Sequence, residues 1–139
     1  MKKATQELLE LMKSKHDYND YLKEQPEFID ITLPDYLEQL LIEKQLTRAE
    51  VVRRSGLDRP YVYQIFRGER NPSRDKLLAI GLAMELGIEQ MQQFLKIIGL
   101  PQLYIKNRRD SILLFCLEQR VCVMEANELL YECGEGILE

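Results

Sequence analysis

Apolar residues recur along this chain three or four positions apart, in short runs cut by capping residues and glycines. Thr32-Leu33-Pro34-Asp35 sets a capping hydroxyl, a proline suited to a first turn and an acid at the third helical position. Leu33, Leu37, Leu40 and Leu41 then share a face, which predicts a helix to about Lys44. Thr47-Arg48-Ala49-Glu50 is a capping box, in which hydroxyl and carboxylate each satisfy an unpaired backbone N–H. The helix behind it is short, because Gly56 follows and suits a left-handed C-cap. Asp58 is expected to cap a third helix, with Pro60 in its first turn and its end near Arg67-Gly68. Ser73 caps a fourth, expected to run from Arg74 to Leu86 and to close at Gly87.

The same period continues from Glu89 to Ile98 through Met91, Phe94, Leu95 and Ile98, and Gly99 stops it. Asn107-Arg108-Arg109-Asp110 opens another helix, with Ile112, Phe115 and Cys116 expected on one side. Val123 to Cys133 reads as a last short helix. Upstream, Thr5 to about Lys13 is amphipathic through Leu8, Leu9 and Met12. A polar stretch with Tyr18, Tyr21 and Leu22 follows, and residues 26–31 read as a connector after Pro26 breaks the pattern. No strand-like alternation of any length and no internal repeat appears. The fold class is therefore all-α. Three parts are expected: an N-terminal helical extension and connector (1–31), a central domain (32–98), and a C-terminal helical extension (99–139) for packing or dimerisation.

Composition narrows the function. With 45% hydrophobic and 30% charged residues in 139, the chain affords a real core without staples. No apolar run approaches the ~18 residues of a membrane span, and no signal peptide is visible. Cys116, Cys122 and Cys133 are an odd number without a C-x-x-C, and His16 is remote from them. Buried, reduced thiols in a cytoplasmic protein are expected, with no metal site and no cofactor. No phosphate loop, nucleophile elbow or Cys–His pairing suggests an enzyme. The formal charge of −4 and pI of about 5.2 argue against nucleic acid only as averages. Residues 44–76 hold nine Lys/Arg and four Asp/Glu, a net of +5, against ten and nineteen elsewhere.

That basic segment contains one object, Leu46 to Arg70: a short capped helix, a glycine-containing turn, and a second short helix ending at glycine. Leu46, Val51, Val52, Leu57, Val62, Ile65 and Phe66 are spaced for two helices crossing steeply over a shared core. The outward positions of the second helix are then Arg59, Pro60, Tyr63, Gln64 and Arg67. Arg and Gln on one helix surface are the residue types that pair bidentately with guanine and adenine edges.

From Leu33 to about Leu95 the sequence resembles the phage-repressor-like helix-turn-helix regulators, the XRE family. The resemblance rests on the Leu46-Thr47-x-Ala49-Glu50 start, the turn glycine, Tyr61-Val62-x-Gln64-Ile65, Arg67-Gly68 and Asn71-Pro72-Ser73, and it continues through Leu77–Ile80 and Leu86–Ile88. It implies a compact five-helix domain whose third helix, about 59–67, lies in the DNA major groove. It also implies a homodimer on a near-palindromic operator of double-stranded DNA. Position by position, Arg59, Pro60 and Gln64, with Tyr63 beside them, fall where base edges are read. Arg48, Tyr61, Arg67, Arg70, Asn71 and Ser73 fall where the phosphate backbone is held. Pro60 offers only an apolar contact, such as to a thymine methyl. Phe66 stands where many members carry Glu, and Val52 where a smaller residue is usual, which implies an altered packing of the two motif helices. A weaker likeness to a bacterial subgroup rests on Leu103-Tyr104, Asn107-Arg108-x-Asp110 and Val123 to Tyr131, and assigns no chemistry.

Each choice has a plainer counterpart. Tyr61 and Tyr63 serve equally as shields or sugar–phosphate contacts, and Arg53 and Arg54 as a solvated face. Arg108 and Arg109 oppose the macrodipole of the helix they begin, and are expected to pair with acidic groups or a partner. The apolar stripes at 112–117 and 129–138 serve as core or as a dimer face. Function therefore reads as a sequence-specific DNA-binding transcriptional regulator, a repressor. The alternative is a protein-interaction module or antitoxin-like adaptor on the same scaffold, engaging a protein partner through either extension.

Overall fold

A computed structural model of the protein describes residues 5–25 and 31–139, and all regular structure in them is helical. The chain divides into two compact units, Met1–Asp30 and Ile31–Glu139. The predicted connector lies, but for its last residue, outside the described residues.

In the first unit α1 (Thr5–Lys13) packs on α2 (Tyr18–Leu22). The sequence did not disclose α2, which Asp17 starts by accepting a hydrogen bond from the Asn19 backbone N–H at 3.2 Å. No residue of α1 is buried. A 2.9 Å ion pair joins Lys15 to Glu24.

The second unit runs α3 (Leu33–Lys44), α4 (Arg48–Ser55), α5 (Arg59–Phe66), α6 (Arg74–Ala83), α7 (Ile88–Ile97), α8 (Arg108–Gln119) and α9 (Val123–Glu132). Thr32, Thr47, Ser73 and Asn107 each accept the backbone N–H three residues on, as their side chains predict. Glu50 closes the capping box by accepting the Thr47 N–H at 3.2 Å. α6 is the axis of the unit: every residue from Leu77 to Ala83 is buried, and α4, α7 and α9 all pack on it. α3 backs α5, α7 meets α8, and α8 pairs with α9. Leu37, Val51, Val62, Ile65, Leu77, Ile80, Met84, Met91, Phe94 and Leu95 are sealed from solvent in one shared core.

Three expectations need correction. α6 stops at Ala83, not at Leu86. The Glu85 and Leu86 N–H groups close back on the Leu82 and Gly81 carbonyls, at 3.0 and 3.1 Å, with Glu85 left-handed at φ 56°. That pair of bonds ends a helix without glycine, at a conformational cost of about 1 kcal/mol. It frees Gly87 to be the N-cap of α7. On α8 the buried side is Asp110, Leu113, Leu114, Cys116 and Leu117, so Phe115 faces solvent at 56% exposure. The 110/113/114/117 stripe is the more complete helical repeat, and it is the one that α7 and α9 cover. Only Cys116 is a buried thiol. Cys122 and Cys133 flank the two ends of α9, where side chains meet water. Burial pushes the Cys116 thiol up, with Cys133 and Glu125 adding to the shift.

Two adjacent Arg-Asp pairs fasten α8 to the start of α6. Arg74 of α6 forks onto both Asp110 oxygens at 3.0 Å and also donates to the Pro101 and Gln102 carbonyls. Arg109 of α8 forks onto both Asp75 oxygens at 2.8 and 2.9 Å. It also donates to the Gly136 and Ile137 carbonyls, and Asn127 accepts the Leu138 N–H, so residues 136–138 are held against α6, α8 and α9. Arg109 thus meets the expected acidic partner, whereas Arg108 stays exposed.

Candidate nucleic-acid interface

Val62, Ile65 and Phe66 are all buried, and this 62/65/66 spacing sets the rotation of α5. Arg59, Pro60 and Arg67 are thereby exposed, with Tyr63 and Gln64 half-buried between them. The turn before α5 is rigid for two reasons. Gly56 is left-handed at φ 70°, and the buried Ser55 hydroxyl donates to the Val52 carbonyl at 3.1 Å while accepting the Leu57 N–H at 3.2 Å. Asp58 takes the N-cap position of α5 but its carboxylate accepts nothing there, contrary to expectation. Pro60 is not the cause, since Thr32 caps α3 by accepting the third-position N–H with Pro34 in the same second position. The turn after α5 is tight as well. Gly68 is left-handed at φ 76°, and a Cβ there would stand 3.0 Å from Pro34 Cγ.

Four predicted site residues lie together on the outer side of α5. Arg59 rests its guanidinium 5.2 Å from the Tyr63 ring centre and reaches the Tyr63 hydroxyl at 3.4 Å. Such a contact one turn apart holds the arginine along the helix surface, where its fork stays open to solvent. Pro60 adjoins it, and the Gln64 amide bonds no other described residue.

The phosphate-binding candidates divide. Arg70 and Lys76 both sit over the half-buried Tyr61 ring, at 5.2 and 5.4 Å from its centre. Asn71 and Ser73 are exposed in the same loop, and Ser73 is occupied as the cap of α6. Arg67 is instead turned onto Glu69 by two hydrogen bonds of 2.9 and 3.2 Å. Those hydrogen bonds and the opposite charge raise the Arg67 pKa and lower that of Glu69. The pair is solvent-exposed and so is easily exchanged for another anion. Arg48 is bound to Glu38 of α3 and lies over the Phe66 ring, 5.4 Å from its centre. Phe66 itself is buried, and Val52 is partly buried against the same core.

The structure sharpens the charge count of the basic segment. Arg48, Arg54, Arg67 and Arg74 are each paired with a carboxylate, and Lys44 donates to the Glu85 carbonyl. Arg53, Arg59, Arg70 and Lys76 carry positive charge with no carboxylate partner among the described residues. Sequence reasoning passed over Lys76. Its place three residues after the Ser73 cap would have put it in the first turn of α6, beside the loop that holds Arg70.

Residues 37–90 match the protein family described as Helix-turn-helix, and they form a helix-turn-helix domain of the phage-repressor-like, XRE kind. The match supports a DNA-binding regulator of that kind. No curated protein and no solved structure matches the chain. No helix among the described residues is long and apolar enough to cross a membrane.

Proposed function

We propose that this chain is a sequence-specific repressor that lays α5 in the major groove of double-stranded DNA and acts as a homodimer on a two-fold operator. The outer side of α5 carries the reading: an Arg fork that touches only Tyr63 and has no carboxylate partner among the described residues, and a Gln amide, stand beside Arg70 and Lys76. Arg59 pairs with a guanine edge and Gln64 with an adenine edge, while Pro60 and Tyr63 make apolar or edge contacts to the intervening bases. Arg70, Asn71, Ser73 and Tyr61 hold one phosphate run, which Lys76 extends. Arg67 and Arg48 join it by exchanging Glu69 and Glu38 for phosphate. Two recognition helices then sit about 34 Å apart, one turn of DNA.

Selection of bound DNA from a random pool yields the half-site and its spacing. Titrating that duplex, Arg59→Ala and Gln64→Ala are each expected to cost about 1–3 kcal/mol on the selected site and little on random DNA. Arg70→Ala is expected to weaken both and to lower the salt slope by about 1. Equal losses on both duplexes from Arg59→Ala would contradict base reading. Absence of duplex binding even at low salt would contradict the proposal as a whole.

A further inference from the structure

The solvent side of α8 is not used by the DNA-binding reading. At 100° per residue, Arg108, Ser111, Ile112, Phe115, Glu118 and Gln119 all fall within about 60° of Phe115. Phe115 is 56% exposed, and Ile112 is only partly buried. Arg108 and Glu118 are exposed, and the side chain of neither pairs with another described residue. The opposite side of α8 is closed by α7 and α9. The open side thus has an apolar centre, a cation at its N-terminal end and an anion at its C-terminal end.

We infer that this side of α8 is the contact between two copies of the chain, with the two α8 helices antiparallel. This inference rests on the homodimer in the reading above and assigns the surface that forms it. A two-fold contact must be complementary to itself, residue i meeting j where j meets i. Reversing one α8 against the other sets Arg108 of each copy opposite Glu118 of its partner copy, and Phe115 of each against Ser111 and Ile112 of the other. A parallel arrangement would stack Arg108 on Arg108 and Glu118 on Glu118. The order of charge along the helix therefore selects an antiparallel second copy as occupant. A 12-residue helix is about 18 Å long and gives an interface at the small end of the specific range. The free dimer is accordingly weak, with a dissociation constant of about micromolar or above. Two half-sites on one operator would strengthen it through local concentration.

Sedimentation of the full chain without DNA, from about 1 to 200 μM, reads this directly. Wild type is expected to dimerise within that range. Phe115→Glu is expected to raise the dissociation constant at least about tenfold. Arg108→Glu and Glu118→Arg are each expected to raise it about three- to tenfold, because each creates two like-charge contacts per dimer. The double variant Arg108→Glu/Glu118→Arg is expected to return to within about threefold of wild type, since both pairs are restored in reversed order. A wild type monomeric throughout, a dimer indifferent to Phe115→Glu, or a double variant no better than the singles would overturn the inference. All three positions face solvent, and unchanged thermal melts would exclude misfolding. Since no DNA enters the measurement, failure of base reading leaves this result untouched, and the reverse holds as well.

Discussion

Phe94→Ala is expected to lower the stability of the 31–139 unit by about 3–5 kcal/mol. Phe94 is wholly buried on α7, and its ring meets Tyr36 of α3 edge-on, with centres 5.4 Å apart. Truncation removes the buried ring and leaves a cavity that the packed side chains around it only partly fill. It also removes an aromatic pair worth about 0.5–1.5 kcal/mol beyond its area. Domains of this size hold roughly 5–15 kcal/mol in total, so one substitution takes a large share. α3 in turn backs α5, which carries Arg59 and Gln64. The loss should therefore appear as a cooperative loss of the whole unit and not as local loosening of α7. Urea unfolding followed by circular dichroism and tyrosine emission suits a chain without tryptophan. A loss below about 1 kcal/mol in the transition of the 31–139 unit would contradict this account.

Much of this architecture is legible in the sequence because it is local. Thr32, Thr47, Ser73 and Asn107 announce their helices through hydrogen bonds that span three residues, and Gly56 announces its turn through a conformation only glycine takes freely. The outward set on α5 is legible for the same reason, since 62, 65 and 66 fix its rotation. What stayed hidden depends on partners distant in sequence. On α8, Ile112, Phe115 and Cys116 offer one apolar stripe and Leu113, Leu114 and Leu117 another, and the packing of α7 and α9 settles which is buried. Asp58 makes no cap bond, yet nothing in its spacing tells it from Thr32, which caps a helix with proline in the same position. The pairing of Arg48 with Glu38, and the meeting of Arg70 and Lys76 over Tyr61, join separate elements that no spacing rule connects. The Arg74-Asp75 and Arg109-Asp110 dipeptides are 34 residues or more apart, and neither alone reveals that it will clasp the other.

Asp110→Ala is expected to cost about 2–4 kcal/mol at neutral pH, and its acid behaviour identifies the cause. The carboxylate is nearly buried and accepts three hydrogen bonds of 3.0 Å, two from Arg74 and one from the Tyr104 N–H. Removing it strands the Tyr104 N–H and leaves the Arg74 guanidinium with only the Pro101 and Gln102 carbonyls. Burial alone would raise the Asp110 carboxyl, but the Arg74 hydrogen bonds, the Tyr104 N–H and the charges of Arg74 and Arg109 outweigh it, so its pKa lies below the ordinary value. Asp75 is likewise raised by burial and brought down further by Arg109. A carboxyl depressed in the folded state adds stability that is present above its unfolded pKa, about 3.9, and that is lost as pH falls through the folded value. Wild type should therefore hold its stability above about pH 5 and lose it below about pH 4. Asp110→Ala should start lower and fall less steeply, with one such carboxyl gone. Arg74→Ala should be destabilised at neutral pH too, yet it leaves Asp110 buried without its guanidinium, so burial prevails and the acid limb moves to higher pH. Denaturant unfolding of the three proteins between pH 2.5 and 7 separates these outcomes, and identical acid limbs in all three would deny the clasp its electrostatic role.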